Sequence, residues 1–235
     1  AEKLKSRHSK THLTMKKITL LSVLFSFLVT GLMAQPEVPQ QLQKGNLLLA
    51  VTSSISMDGS WGSEVFGLGF SNTKTKHGSE PAEDYYKCTV WNLLPRGGYF
   101  IIDNLAVGLE FLVSGYSEKH ADGYDTWKES TFGAGPFARY YYPLDRLYPF
   151  AEIEVLLGTE KESYNDNDYK YNLFMIGTYL GVSVPLGERV AFDAKTGYAR
   201  VTSSHKGTEI EDYDHKYITG GLVIAMGFSI YLPMP

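Results

Sequence analysis

From about Gly45 to Leu232 the chain repeats one pattern: roughly ten residues alternate apolar with small or polar, and then a turn follows. In residues 105–116, Leu105, Val107, Leu109, Phe111 and Val113 fall on one face. Ala106, Gly108, Glu110, Ser114 and Tyr116 fall on the other, with Leu112 as the one misfit. In residues 147–158, Leu147, Pro149, Ala151, Ile153, Val155 and Leu157 alternate with Tyr148, Phe150, Glu152, Glu154, Leu156 and Gly158. Near the end, Ile218, Leu222, Ile224, Met226, Phe228, Ile230 and Leu232 share one face. A period of two is that of strands, not helices.

The connections come in two kinds that alternate along the chain. Asp103-Asn104, 143–146 and 185–188 are tight, whereas 58–86, 117–127, 160–169 and 203–215 are long and charged. Short turns at one end and long loops at the other are the pattern of a transmembrane barrel, with the short turns periplasmic. The predicted fold class is therefore all-β: an eight-stranded antiparallel up-and-down transmembrane β-barrel. Its strands are expected near 45–57, 89–102, 105–117, 128–142, 147–159, 170–184, 189–202 and 216–232. Residues 64–75 also look like a strand. They either extend the first strand past an irregular break at 58–62 or form a hairpin within the first outer loop.

Met15-Lys16-Lys17 followed by apolar residues 18–32, with Met33-Ala34 before Gln35, reads as a signal peptide over 15–34. Residues 1–14 are polar and basic, and are read as an extension upstream of the native start. Residues 35–44 (QPEVPQQLQK) are expected to be a loose periplasmic linker, and 45–232 the barrel.

The face opposite the apolar one carries Arg96, Glu110, Arg139, Glu152, Glu154, Asp193 and Lys195, together with Asn92, Tyr171, Tyr179, Thr219, Ser229 and Tyr231. Three cations against four carboxylates in a narrow barrel predict a paired network, because buried charges persist only when partnered. An eight-stranded barrel is just wide enough for side chains to fill. Tyr99, Tyr140, Tyr142 and Phe228 lie on the outward face near the turns and are expected to form an interfacial aromatic girdle, with Trp91 and Trp127 nearer the outer ends.

Composition changes the picture little. A hydrophobic content of 43% hides a barrel, since each strand is only half apolar; 17 Tyr and 23 Gly suit aromatic girdles and crowded strands. A net charge of -4 gives no reason to expect nucleic acid. The single Cys88 supports neither a disulfide nor a metal site. His77, His120, His205 and His215 fall in the long loops, yet no motif sets a nucleophile beside a base. Asn165-Asp166-Asn167-Asp168 lacks the Gly and distant Glu of an EF-hand calcium loop. No catalytic residue, metal ligand or cofactor is expected.

The segments LLPRGGYFIIDNLAVGLEF (93–111), GPFARYYYPL (135–144) and GFSIYL (227–232) resemble the small outer-membrane β-barrel domain family, the OmpA/OmpX-like eight-stranded barrels of Gram-negative bacteria. The resemblance covers about 45–232 and is structural. It differs at the end, where Leu232-Pro233-Met234-Pro235 replaces the usual terminal aromatic, and in having no C-terminal peptidoglycan-binding domain. It implies a monomer in the outer membrane, in contact with lipid, lipopolysaccharide and the barrel-assembly machinery. The expected function is non-enzymatic: a plugged barrel displaying extracellular loops to an unidentified ligand, for envelope integrity, adhesion or surface interaction. The alternatives are a narrow porin or small-solute channel, a rim-sited hydrolase, and a soluble lipocalin-like ligand-binding barrel.

Overall fold

A computed structural model of the chain describes residues 38–56, 68–75, 83–120, 126–164, 167–205 and 215–234. The extension at 1–14, the signal peptide at 15–34, His77 and the Asn165-Asp166 pair lie outside the described residues. Alternation of side chains builds nine strands: β1 (Leu47–Ser56), β2 (Gly69–Thr75), β3 (Glu83–Ile102), β4 (Leu105–His120), β5 (Thr126–Tyr141), β6 (Tyr148–Tyr164), β7 (Asn167–Pro185), β8 (Val190–His205) and β9 (His215–Leu232). From β3 to β9 each strand pairs antiparallel with the next in sequence, and β1 pairs with both β9 and β3 to close the wall. The result is a closed eight-stranded up-and-down barrel, with β2 as an added piece. The β3–β4 hairpin turns on Asp103-Asn104, with Asn104 at φ 66°. Asn is one of the few residues that takes this left-handed conformation readily.

The seam between β1 and β3 explains residues 68–75 of the ambiguous segment, of which 64–67 lie outside the described residues. Backbone pairing between them runs from Leu47↔Tyr99 to Thr52↔Leu94 and then stops. At the next inward position the Asn92 side chain takes over: its Oδ1 accepts from Ser54 N–H at 2.9 Å, and its Nδ2 donates to Ser54 O at 2.7 Å. Above that point β2 occupies the β3 edge, from Gly69↔Val90 to Thr75↔Glu83. Thus β2 runs along β3 beyond the point where β1 leaves it.

Two expectations are corrected. Connections 117–127 and 160–169 are mostly strand, not loop: β4 and β5 pair out to Lys119↔Thr126, and β6 and β7 out to Tyr164↔Asn167. The ladders continue past the point where the apolar alternation ends, because backbone pairing does not require an apolar face and Thr and Tyr are themselves strand formers. A 17-residue strand such as β6 tilted in a barrel spans about 40 Å of axis. That exceeds the ~25 Å apolar band of outer-membrane barrels, so the wall projects as a rim. The second correction is at the N-terminal side. Residues 38–44 are not a loose linker: one turn of 3-10 helix, Gln40–Leu42, docks across the short-turn end. Leu42 is fully buried. Asn104 N–H donates to Leu42 O at 2.8 Å, Gly45 N–H to Phe100 O at 2.9 Å, and Lys44 N–H to Asp103 Oδ1 at 2.7 Å.

Outside, the wall is apolar: Leu49, Val51, Leu93, Leu109, Phe111, Phe132, Ile153, Leu157, Phe174, Ile176, Leu222 and Ile224 are all exposed. Inside lie Arg96, Glu110 and Arg139. That sidedness is the reverse of a lipocalin and overturns the soluble-barrel alternative. Leu180, 70% exposed, lies about one third of the way up β7 from the short-turn end. Leu180→Arg should destabilise the bilayer-embedded barrel by about 2–4 kcal/mol, the cost of a cation on the lipid face near the midplane. Reversible denaturant titration in lipid vesicles measures it, and a neutral outcome would argue for a wet exterior.

Candidate functional site: the charged layer of the barrel interior

Inward residues stack in three layers. At the short-turn end Leu42, Leu48, Phe100, Ala106, Phe137, Tyr141, Tyr148, Phe150, Ala191 and Tyr231 form an aromatic cluster. Toward the rim Leu94, Leu112, Leu156, Leu173, Met175, Tyr179, Ala199, Val201 and Val223 form a second apolar cluster. The charged residues lie between them. Leu112, the misfit of the sequence pattern, is an interior residue of this second cluster and fully buried.

The structure brings Arg96, Glu110, Arg139, Glu152, Glu154, Asp193 and Lys195 together, all buried. Glu152 is the hub. Its Oε2 accepts from Arg96 Nη1 at 2.6 Å and from Arg139 Nε at 2.5 Å, and its Oε1 from Lys195 Nζ at 2.6 Å. Arg96 also pairs with Glu110, and reaches Glu154 at 3.8 Å. Arg139 Nη1 donates to Asp193 Oδ2 at 2.6 Å, tying β5 to β8 across the interior. Asp193 accepts further from Ser183 and Ser229, each at 2.6 Å. Tyr179 OH donates to Glu154 at 2.7 Å.

Aromatic faces complete the shell. The Arg139 guanidinium lies 4.0 Å from the Phe150 ring centroid, and Lys195 Nζ lies 4.0 Å from that of Tyr179. Inward glycines make the room. A Cβ on Gly98 would come within 2.9 Å of the Phe137 ring, and one on Gly181 within 2.3 Å of Phe150.

Oxygens of Glu110, Glu152 and Glu154 lie within 4.8 Å of one another, a spacing that could hold a metal ion. The chain's own cations fill that role, since Arg96 reaches all three carboxylates and Lys195 two of them. Ser183 and Tyr141 belong to this network, although the sequence pattern did not single them out. Tyr141 OH accepts from Arg139 at 3.1 Å. Of the expected girdle, Tyr99 and Phe228 are exposed on the outer surface and Tyr140 and Tyr142 half-exposed, all toward the short-turn end. His120 sits near the rim, 3.3 Å from Glu118 and against the Tyr86 ring.

The network holds four carboxylates and three cations, and they are unequal. Glu152→Gln would leave three cations short of their shared partner and should cost about 3–5 kcal/mol, the usual effect of breaking a buried pair. Glu110→Gln balances the charge and disturbs only Arg96, so it should cost clearly less. Urea midpoints of the two variants in one lipid system decide; equal losses would refute the hub assignment.

No protein-family model and no curated protein sequence matches the chain. Among solved structures it is similar to the outer membrane protein OprG of Pseudomonas aeruginosa, at 14% identity over 83% of this chain and 100% of that one, with a TM-score of 0.43. It is also similar to Neisserial surface protein A, at 14% identity over 80% of this chain and 96% of that one, with a TM-score of 0.37. A third is the outer membrane protease OmpT of Escherichia coli, at 8% identity over 80% and 94% of the two chains, with a TM-score of 0.40. The barrel assignment itself stands on the closed strand order and on the apolar outer face of this chain.

Proposed function

We propose that the chain is a non-enzymatic, monomeric outer-membrane barrel, exported by its leader and inserted by the barrel-assembly machinery. Its interior is plugged, and its projecting rim and connecting loops are presented to an extracellular partner. The observation that carries the reading is the filling of the interior. An aromatic cluster, a paired charge layer and a second apolar cluster succeed one another along the axis. The turn at Gln40–Leu42 covers the short-turn end, where Tyr148 OH donates to Gln41 Oε1 at 3.3 Å. A conducting pore needs a continuous wet path, and buried Phe100, Tyr141, Tyr231 and Leu42 stand across it.

The projecting wall alters the mode of presentation. Paired strands hold the rim, so its surface is offered on a hydrogen-bonded framework, which lowers the ordering cost of binding relative to a free loop. Single-channel recording of the folded protein in planar bilayers tests the plugged interior. We expect a heat-shifted folded band on gels and no conductance steps. Regular steps from the folded band would support the narrow-channel alternative instead.

A further inference from the structure

The charged layer does not balance. Arg96, Arg139 and Lys195 bring three positive charges, and Glu110, Glu152, Glu154 and Asp193 bring four carboxyls, each residue at most 4% exposed. Among the described residues no other charged side chain is buried. An aromatic cluster closes the layer toward the short-turn end, and an apolar cluster closes it toward the rim. The flanking wall turns Leu109, Phe111 and Ile153 outward. A net charge sealed in this way is costly, and a group so placed neutralises instead.

The contacts locate the surplus. Glu152 is within 2.6 Å of all three cations. Asp193 takes Arg139 together with the hydroxyls of Ser183 and Ser229. Glu154 and Glu110 share what remains. Glu154 Oε2 lies 3.3 Å from Lys195 Nζ and 3.8 Å from Arg96 Nη2, while its Oε1 accepts from the Tyr179 hydroxyl at 2.7 Å. Glu110 pairs with Arg96 through Oε2, but its Oε1 is buried with no hydrogen-bond partner among the described residues. One oxygen each from Glu110, Glu152 and Glu154 lie within 4.8 Å of one another.

The surroundings offer no other means of neutralisation. Around the Glu110–Glu154 pair stand Arg96 from β3, Glu152 from β6, Tyr179 from β7 and Lys195 from β8, with Arg139 of β5 and Asp193 of β8 beyond Glu152. On β1 and β9 the inward residues level with Arg96 are Ala50 and Ser229, which carry no charge. Two carboxylates in one dry site cannot both ionise cheaply. Protonating one removes the surplus charge and turns a bare oxygen into a donor. We propose that the Glu110–Glu154 pair binds one proton at neutral pH, held by the two carboxyls jointly, and that this proton makes the sealed layer neutral. The proposal rests on the sealed interior argued above, whose own failure would show separately as conductance.

The sign of the pH dependence follows. The folded protein keeps a proton that the unfolded chain releases above about pH 4.3, the ordinary glutamate value. Stability therefore falls as pH rises through the neutral range, relative to a variant that lacks this proton.

The test uses the full-length folded protein in a maltoside detergent, which has no carbonyl to mask the infrared band of a protonated carboxyl. At neutral pH wild type should show one such group per chain, moved by isotope-labelled glutamate and not by isotope-labelled aspartate. E110Q and E154Q each balance the layer, and each should abolish the band. Lys195→Gln adds one unmatched negative charge and should double it. In urea titrations between about pH 5 and pH 8, the unfolding constant of wild type should rise about tenfold per pH unit relative to that of E110Q, the linkage of one proton held only in the folded state. A wild type without the band, a band that survives E110Q or E154Q, or parallel pH profiles for wild type and E110Q would overturn the proposal. So would a wild type stabilised by sodium or potassium and indifferent to pH, which would assign the neutralising charge to a metal cation.

Discussion

Backbone N–H and C=O groups inside a hydrocarbon layer have no water to bond, so each needs a partner on a neighbouring strand. Hairpins satisfy most of this demand locally, since β3 to β9 each pair with the next strand. β1 carries the remainder. It must bond to β9 on one side and β3 on the other, and its neighbours lie far away in sequence. Where it leaves β3, the Asn92 side chain supplies the donor and acceptor that the backbone no longer provides. Everything else, from the apolar exterior to the buried charges, presupposes that closed ladder.

Closure creates a narrow interior that cannot be left empty, and the chain fills it with opposing chemistries. Apolar clusters at either end exclude water, which strengthens the electrostatics between them and raises the cost of any unpaired charge. Glu152 therefore has three partners, and Asp193 gathers Arg139 and two serines. The inward glycines belong to the same economy of space, because Phe137 and Phe150 occupy the volume a Cβ would take at Gly98 and Gly181.

Strand parity and the turn residues were legible in the sequence, because both depend on neighbours a few positions away. The inward charges followed from parity alone. Their pairing did not: Arg139 meets Asp193 across the interior, and that depends on the stagger of all the strands between them. Leu112 read as a misfit because alternation treats an inward apolar residue as noise, whereas it packs in the rim-side cluster with Leu94 and Leu156. The strand ends were misjudged because the apolar signal stops at the edge of the belt while hydrogen bonding continues. The docked turn at Gln40–Leu42 was invisible because its polar sequence has one apolar anchor and its backbone partner on the β3–β4 hairpin, Asn104, is some sixty residues away.

That turn also bears on the order of events in folding. Its bonds reach the β3–β4 hairpin, while Leu42 packs against Tyr231 and Leu48, which belong to the last and first strands. None of these surfaces exists as a unit until the ends of the chain have met, and such non-local encounters are the slow ones. Docking of the turn is thus a late step, a latch that can engage only once the cylinder is complete. A chain halted before closure would keep Leu42 and the aromatic floor exposed, distinguishable from the finished protein by the one segment that comes first in the described chain.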